Sequence, residues 1–290
     1  MRRMRIKKRL QKGKNMTQKL VAEICAEQGI TCLSVSGGYI LRLSYEGQIR
    51  HIYGNYWDLN SAAADRLACD KCGCYALLNA SGIPAIEHVL VFNAVKRAAY
   101  APEEGSLLQA LEYLRLHNNK LVVKPNQGTQ GRDVFYCDSP LSLEQALLTV
   151  FANDPDAVLS PYAEIGTEYR VFYLAGKAYF IYGKARGESW KHNLASGATA
   201  FEIKDAKLEE ELANLALRAA KCIGITFASI DIAQLSDGSL AIMEINSGVM
   251  TNRLIEQLPH LRPTIKGLFA EAIERLFKQK RVSGSVGLQI

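Results

Sequence analysis

The stretch FASIDIAQLSDGSLAIMEIN, residues 227–246, predicts a β-hairpin that carries polar side chains inside its strands. Its two apolar runs flank Ser236-Asp237-Gly238, and Asp-Gly between such runs is typical of a hairpin turn. Asp231 lies in the first run and Glu244 in the second, and Asn246 shares a strand face with Glu244. Buried acids need a partner, and Mg²⁺ takes such oxygen ligands. The hairpin alone leaves two interpretations open, a metal site or acids on a solvent face.

A glycine-containing loop precedes this hairpin by about a hundred residues. A predicted strand at 120–125 ends with Lys124-Pro125, and residues 126–132 (NQGTQGR) lead into a second predicted strand. Glycines let backbone amides approach phosphate oxygens closely, and Lys124 adds a positive charge at the same place. The loop lacks the Gly-Lys-Ser/Thr of a Walker loop and the helix of a dinucleotide site, which disfavours both. By itself, Gly-x-x-Gly is equally compatible with an ordinary hairpin turn.

The positive charge of the chain is concentrated in its first residues. Of 290 residues, 48% are hydrophobic and 22% charged, which is an ordinary globular composition. Residues 1–16 hold eight of the 35 basic residues and no acid, so the remainder carries two more acids than bases. Three interpretations apply to this segment: a nucleic-acid-binding arm, a disordered tail, or a stretch upstream of a translation start at Met16. Blocks of like charge are usually disordered, which favours the last two and argues against a nucleic-acid partner.

Seven cysteines and the absence of a signal-peptide pattern predict reduced thiols in the cytoplasm. No apolar stretch is long enough to span a membrane, so no membrane partner is expected. Cys69, Cys72 and Cys74 lie within six residues of one another and raise the question of zinc. A fourth ligand is missing nearby, and the spacing differs from the paired pattern of zinc ribbons, which disfavours a metal at the cysteines.

The periodicities predict an α+β protein with a small amino-terminal lobe at 17–60 and a larger domain at 61–280, followed by a short tail at 281–290. A continuous helix is predicted at 61–78 and a last helix at 262–278. Ser142 and Gln145 read as a capping box for a helix beginning at 143.

The order of the motifs resembles the ATP-grasp superfamily. The chain carries a lysine at 71, VVKPNQGTQGRDV at 122–134, GTEYR at 166–170, basic residues before Asn-Leu at 193–194, and ASIDI with IMEINS in the hairpin. These motifs are similar to those of RimK-type carboxylate–amine ligases, with glutathione and cyanophycin synthetases as relatives. The resemblance covers about residues 60–277 and implies an ATP-grasp fold in which two α+β lobes clasp ATP, with a nucleotide lid at about 84–163.

The resemblance also implies roles for particular residues. Those expected to contact the nucleotide are Lys71, Lys124, Gly128, Thr129, Gln130, Gly131, Pro161, Tyr162, Glu168, Lys191 and Asn193. Of these, Pro161 and Tyr162 match the linker that reads the adenine through its backbone, and Glu168 matches the acidic position near the ribose. Asp231, Glu244 and Asn246 match the magnesium ligands, for two Mg²⁺ ions with Mn²⁺ as a substitute. Arg170 and Arg186 are the candidates for stabilising a tetrahedral oxyanion. Lys184 is a less favoured candidate, because it can equally face solvent on a two-sided hairpin.

The implied activity is an ATP-dependent ligation of a small-molecule carboxylate to an amine, an amino acid or a peptide. It proceeds through an acyl phosphate and releases ADP and phosphate. Ser247-Gly248-Val249-Met250 replaces the Ser-Pro-Gly of many relatives, which leaves the acceptor undefined. Two alternatives are an ATP-grasp macrocyclase that modifies a precursor peptide and a nucleotide-binding protein without turnover. A homodimer is left open.

Overall fold

The computed structural model describes residues 16–93, 96, 107–128, 131–185 and 197–278. The tail predicted at 281–290 and all but Met16 of the tail predicted at 1–16 lie outside these ranges. The helices are α1 (Met16–Glu27), α2 (Ala62–Cys69), α3 (Lys71–Ala80), α4 (Leu107–Leu116), α5 (Pro140–Asn153), α6 (Ala206–Ile223), α7 (Asn252–Gln257) and α8 (Arg262–Lys278). Strands β1 to β7 are Thr31–Val35, Ile40–Tyr45, Gln48–Tyr53, Tyr56–Trp57, Val89–Phe92, Leu121–Pro125 and Phe135–Cys137. Strands β8 to β13 are Asp156–Pro161, Ile165–Leu174, Lys177–Ala185, Thr199–Glu202, Phe227–Leu235 and Leu240–Asn246.

The chain divides into two compact units. One is built from residues up to Leu59 together with those from Gly248 onward, and the other is Asn60–Ser247. The domain predicted at 61–280 crosses this division at Ser247, and its boundaries stay a prediction. None of the helices in the described ranges has both the length and the apolar character to cross a membrane.

The first unit is a four-stranded antiparallel sheet in the order β1-β2-β3-β4, with α1 and α8 packed against one another and on the sheet. Leu41 and Leu43 alternate along β2 and are buried, as expected for a sheet with one covered face. Arg50 on β3 is also buried, and its Nε donates to the carbonyl of Leu276 at 2.6 Å in the last turn of α8. A cation at a helix C-terminus satisfies a carbonyl that has no partner within the helix.

The centre of the second unit is an antiparallel sheet in the order β11-β10-β9-β12-β13. One face packs on the amphipathic helix α6, which Asp205 caps at its start and Gly224, with φ of 67°, ends in the left-handed region. Val171, Ile230 and Ile232 are fully buried in this core. Because side chains alternate along a strand, the residues between them point to the opposite face.

The second sheet of this unit, in the order β5-β8-β6-β7, packs one face on α4 and α5. It is called the lid sheet below because its strands lie within the predicted nucleotide lid. Val91, Val123 and Leu159 belong to that core. Leu90, Val158 and Lys124 are aligned across β5, β8 and β6, one position away from the core residues. They therefore lie on the face of the sheet that is turned away from the helices.

Two predicted local features are wrong. The helix expected at 61–78 is broken, because Asp70 adopts an extended conformation and its side chain caps a new helix by accepting from the Gly73 amide at 2.8 Å. The capping box expected at Ser142 and Gln145 is instead formed by Ser139 and Ser142, and α5 begins at Pro140. The last helix has the predicted bounds, 262–278.

Candidate active site

A row of polar side chains crosses four strands of the five-stranded sheet, on the face opposite α6. Tyr182, Arg170, Asp231 and Glu244 are consecutive cross-strand partners on β10, β9, β12 and β13. A register shift follows Asp231, so Ile232 pairs with Ile242 rather than with Met243. This bulge turns Glu244 to the polar face although Ile242, two residues earlier, lies in the core. The hairpin therefore presents both acids on one face, as predicted from the sequence.

Asp231 is the centre of a buried ion cluster. Its Oδ1 accepts hydrogen bonds from Arg170 Nε at 2.7 Å and from Lys184 Nζ at 2.8 Å. Its Oδ2 accepts from an Arg170 terminal nitrogen at 2.6 Å and from Asn246 Nδ2 at 3.2 Å. The Lys184 ammonium also contacts the Glu168 carboxylate. Four donors fill the acceptor positions of the Asp231 carboxylate, and two anions balance two cations.

The pKa values in this cluster follow from burial and pairing. Burial favours a neutral carboxyl at Asp231, but the Arg170 guanidinium and the Lys184 ammonium outweigh it and hold its pKa well below the usual range. Burial raises the pKa of Glu168, and the charge of Lys184 offsets only part of that rise. Burial and Arg170 work against the charge of Lys184, yet Asp231 and Glu168 raise its pKa. Asp231 and Lys184 are therefore ionised at neutral pH.

Lys71 lies at the first position of α3 and joins the glycine loop to β13. Its ammonium contacts Glu244 Oε1 at 3.1 Å and donates to the Gly128 carbonyl at 2.7 Å. Asn126 supports this arrangement, because its Nδ2 donates to Asp70 at 3.0 Å and its Oδ1 accepts from the Cys72 amide at 3.1 Å. The break at Asp70 thus fixes the start of α3 against the loop and directs Lys71 toward Glu244.

Lys124 lies near the end of β6, on the face of the lid sheet that is turned away from its helices. Burial lowers its pKa to about 8, the nearby charge of Glu244 opposes that shift, and Lys71 adds to it. Lys124 is half-buried, and its ammonium makes no hydrogen bond or ion pair within the described residues. A partly desolvated ammonium without an acceptor is a favourable place for an anion to bind.

The glycine loop is described except for residues 129 and 130, and the predicted adenine linker, Pro161 and Tyr162, is described in full. Gly128 leaves no room for a side chain, since an added Cβ would lie 2.9 Å from Pro125 Cβ, and Gly131 has φ of 68°. Pro161 ends β8, and the Tyr162 amide donates to the Lys120 carbonyl at 2.9 Å within the lid sheet. The backbone N–H of Tyr162 is therefore already engaged, and Pro161 has none to offer.

The hairpin residues fit a divalent cation. The amide nitrogen of Asn246 is used on Asp231, which leaves its carbonyl oxygen as an acceptor. Glu244 is 29% exposed and bonds Lys71 through one oxygen. Asp231 fits less well, because a metal at its carboxylate would have to displace one of four donors. Glu244 and Asn246 are thus the more open oxygen ligands in this state of the chain.

The structure brings together Lys71, Lys124, Gly128, Glu168, Arg170, Asp231, Glu244 and Asn246. Thr129, Gln130, Arg186, Lys191 and Asn193 lie outside the described residues. Glu168, predicted near the ribose, has its carboxylate engaged by Lys184. Arg170, which was predicted to stabilise the oxyanion, donates two hydrogen bonds to Asp231.

Sequence reasoning underrated or missed three residues. Lys184 does not face solvent but is 2% exposed between two acids. Asn126 fixes the Lys71 side of the site, and His88 is a buried histidine beside both lysines. In the sequence, the burial of Lys184 was indicated only by its place among alternating apolar residues on β10. The acids that Lys184 contacts are set by the strand register.

The cysteines at 69, 72 and 74 are not part of a cluster with metal-binding geometry among the described residues. All seven cysteines are free thiols, and the described ranges contain no cluster of three or more His, Cys, Asp or Glu side chains suited to a metal ion. Burial raises the pKa of the Cys74 thiol to about 12, so it stays protonated. The disfavoured zinc interpretation finds no support in this part of the chain.

The chain is similar to known proteins over its larger part. A family model described as a RimK-like ATP-grasp domain matches residues 68–258. A probable α-L-glutamate ligase of Pseudomonas savastanoi pv. phaseolicola is 28% identical over 193 residues, which cover 65% of this chain and 58% of that protein. The solved D-alanine–D-alanine ligase of Bacillus anthracis gives a TM-score of 0.57 at 19% identity, over 76% of this chain and 69% of that one.

A second solved structure, a bifunctional glutathione synthetase from Pasteurella multocida, gives a TM-score of 0.55 at 16% identity. It is matched over 88% of this chain and 44% of its own length. At these identities the two solved structures bear on the fold alone. The chain spans 58% of the length of the glutamate ligase that it matches.

Proposed function

The chain belongs to the RimK-like ATP-grasp family, and from this we propose that it is an ATP-dependent carboxylate–amine ligase. The ATP-grasp fold and the family predicted from the motifs are confirmed by the family model and the solved structures. The activity is a proposal because the curated relatives are longer than the region they share with this chain. Glutamate is the first amine to test, since the glutamate ligases are among its relatives.

The observation that carries the proposal is the set of cations and acids gathered on one site. Lys71 lies 3.1 Å from Glu244 and 2.7 Å from the Gly128 carbonyl, and Lys124 lies near enough to Glu244 and Lys71 for their charges to shift its pKa. Triphosphate binding needs such cations beside a loop that can close over the phosphates. The nearby carboxylate of Glu244 and the amide oxygen of Asn246 supply oxygen ligands for a divalent cation.

Glu244 and Asn246 would hold Mg²⁺, joined by Asp231 if one of its donors moves away, and the ion would neutralise phosphate charge when bound. Lys71 and Lys124 would orient the phosphates, with the Lys71 ammonium shared between a phosphate oxygen and its present contact, Glu244. Arg170, fixed by Asp231, keeps further N–H groups with which it can bind developing negative charge.

The proposed reaction has two steps. A carboxylate oxygen of the first substrate attacks the γ-phosphorus of ATP, the bond to the bridging oxygen breaks, and ADP leaves as an acyl phosphate forms. The nitrogen of a neutral amine then attacks the acyl carbon, phosphate leaves with the electron pair of the broken bond, and the amine proton goes to solvent or phosphate. The products are an amide, ADP and phosphate, and the site must keep water from the acyl phosphate.

Replacing Glu244 with glutamine tests this function, because the change keeps the shape and removes the charge. ADP release should be measured with amino acids, dipeptides and small amines, and the products identified by mass. We expect ADP release with a matching amide from the wild type and a loss of roughly a hundredfold or more in Glu244→Gln. Glu271→Gln, which breaks a surface pair with Arg275, is the matched control. Normal turnover in Glu244→Gln would refute the role of Glu244, and ADP formation without any amide would refute the ligase.

A further inference from the structure

The strand β1 forms an open edge of the sheet in the first unit. It lies at the end of the strand order β1-β2-β3-β4, so among the described residues only β2 pairs with it. Four of its five residues are exposed, including Leu33 at 50% and Val35 at 39%. In an edge strand, alternate backbone N–H and C=O groups point away from the sheet and can pair with another strand. This edge therefore offers both hydrogen-bonding groups and apolar side chains to solvent.

The other sheet edges in the described part of the chain are protected. The edge strands β4, β7 and β11 have only two, three and four residues, and β11 carries the exposed Glu202. None of the residues of β5 is exposed. Part of the outer edge of β13 is paired, because the Ile86 amide donates to the Ile242 carbonyl and the Ile242 amide to the Pro84 carbonyl. Short length, charge and coverage are the usual means by which proteins prevent pairing at a sheet edge.

The sequence of β1 lacks these protections. Residues 28–41 (QGITCLSVSGGYIL) include no charged side chain and no proline. The pairing of β1 with β2 runs from Thr31 to Val35 without a register shift, so no bulge twists the edge away from a partner. An exposed edge strand that is regular and uncharged is suited to accept a further strand.

The charge and symmetry of β1 favour a second copy of this chain as the partner. The segment 1–16 holds eight basic residues and no acid, and the uncharged edge offers it no opposite charge. Residues that face each other in antiparallel strands point to the same side of the sheet, so a twofold pairing of identical strands is centred on one residue. Centring it on Leu33 pairs all of β1, with Thr31 facing Val35 of the other copy. Uncharged, β-branched pairs of this kind stabilise a sheet, and twofold symmetry is the commonest in homodimers.

We propose that two copies of the chain associate through their β1 strands, which pair antiparallel about Leu33 and join the two four-stranded sheets into one continuous sheet. A strand of this length extends over about 17 Å, and interfaces this small belong to the weak class. The dimer should therefore have a dissociation constant of roughly 1–100 μM. Association through β1 requires no nucleotide, so it can be tested independently of the ligase activity.

Sedimentation equilibrium of the full chain, at concentrations on either side of this range, measures the association. Leu33→Glu places two carboxylates opposite each other at the twofold axis, and Arg42, which faces Leu33 on β2, makes the change mild within each copy. We expect association to be at least roughly tenfold weaker in this variant. Leu33→Lys should weaken it similarly. An equimolar mixture of the two variants should associate again, because opposite charges then face each other.

Two exposed residues away from the edge provide matched controls. Ile49→Lys changes a residue of β3 that is 43% exposed and lies on the same face of the sheet as Leu33. Leu108→Lys changes a leucine of α4 in the second unit that is 73% exposed. Both variants should associate as strongly as the wild type.

A wild type that stays monomeric at all these concentrations overturns the proposal, and so does a dimer that Leu33→Glu leaves unchanged. Weaker association of both variants without recovery in the mixture overturns the antiparallel pairing about Leu33. If Ile49→Lys dissociates the dimer as strongly as Leu33→Glu, the copies associate through the face of the sheet and not through its edge. Melting temperatures establish that each variant is folded. If Leu33→Lys is not, Leu33→Glu decides, because added salt should restore part of its association only where two carboxylates face each other.

Discussion

The ion cluster around Asp231 and the face of the lid sheet turned away from its helices differ in how completely their polar groups are paired. Asp231 accepts four hydrogen bonds, and Lys184 lies between two carboxylates. On the lid, His88 Nε2 and the Ser160 hydroxyl are buried and have no partner within the described ranges. A fully satisfied network holds its geometry without ligand, whereas unsatisfied atoms mark where a ligand is missing. We propose that the ion cluster acts as a scaffold and that this face of the lid sheet acts as a binding surface.

The largest expected effect on stability comes from a substitution of Asp231 in the ion cluster. Asp231→Asn removes one charge from a buried cluster and turns an NH₂ group toward donors from Arg170, Lys184 or Asn246. Breaking a buried ion pair on one side costs roughly 3–5 kcal/mol of unfolding free energy. Urea denaturation of the ligand-free protein should show a loss of this size, and Asp237→Asn in the exposed turn should lose about 0.5 kcal/mol or less. A loss at Asp231 no larger than that of the control would show that the cluster is not a scaffold.

A substitution of Lys124 in the lid sheet should have the opposite effect on stability to the substitution of Asp231. Lys124→Met removes a desolvated ammonium without an acceptor, so the ligand-free protein should keep or gain stability. ATP affinity should fall roughly 10- to 100-fold, because a charge-assisted contact with phosphate is lost. Calorimetric titration and the melting temperature give the two quantities on one sample. Loss of stability together with unchanged ATP affinity would assign Lys124 to the scaffold instead.

Much of this arrangement was predictable from sequence because it depends on local patterns. The hairpin at 227–246 was predicted from its turn and its alternation, and Asp231 and Glu244 lie on its two strands as predicted. The order of the motifs gave the fold, and the family model confirms it. Lys71 and Lys124 were placed by resemblance, and their grouping around Glu244 follows from the fold.

Other features depend on register and could not be predicted from local patterns. The orientation of Lys184 depends on the pairing of β10 with β9, which places it opposite Glu168. Because a bulge follows Asp231, Glu244 lies on the polar face of the sheet and Ile242 on the core face. Strict alternation would place both side chains on the same face. The break at Asp70 depends on Asn126, 56 residues away. In each case the decisive partner is distant in sequence.

Measuring stability and ATP affinity over a range of pH tests the role of Lys124 without any substitution. The pKa of Lys124 is lowered to about 8, whereas in the unfolded chain the lysine keeps its proton to about 10.5. The folded state thus binds fewer protons between these values, so this lysine's contribution to stability rises with pH across that window. ATP needs the ammonium, so affinity should fall about tenfold from pH 7 to pH 9.

Lys124→Arg is the control for this series, because the guanidinium keeps its charge. The fall in ATP affinity should be nearly absent in this variant, with any remaining slope due to other groups. An equal fall in the wild type and in Lys124→Arg would exclude Lys124 as the titrating group.

The smallest expected effects come from two serines, one with partners and one without. Ser139 caps α5 by accepting from the Ser142 amide at 3.3 Å, so Ser139→Ala should cost about 1 kcal/mol of unfolding free energy and leave ATP affinity unchanged. Ser160→Ala removes a buried hydroxyl without a partner, so ligand-free stability should stay equal or rise slightly, while ATP affinity falls by up to about fivefold. Chemical denaturation and nucleotide titration of both variants measure the pair. If Ser160→Ala loses as much stability as Ser139→Ala and binds ATP normally, its hydroxyl belongs to the scaffold, and the division between paired and unpaired regions fails at that position.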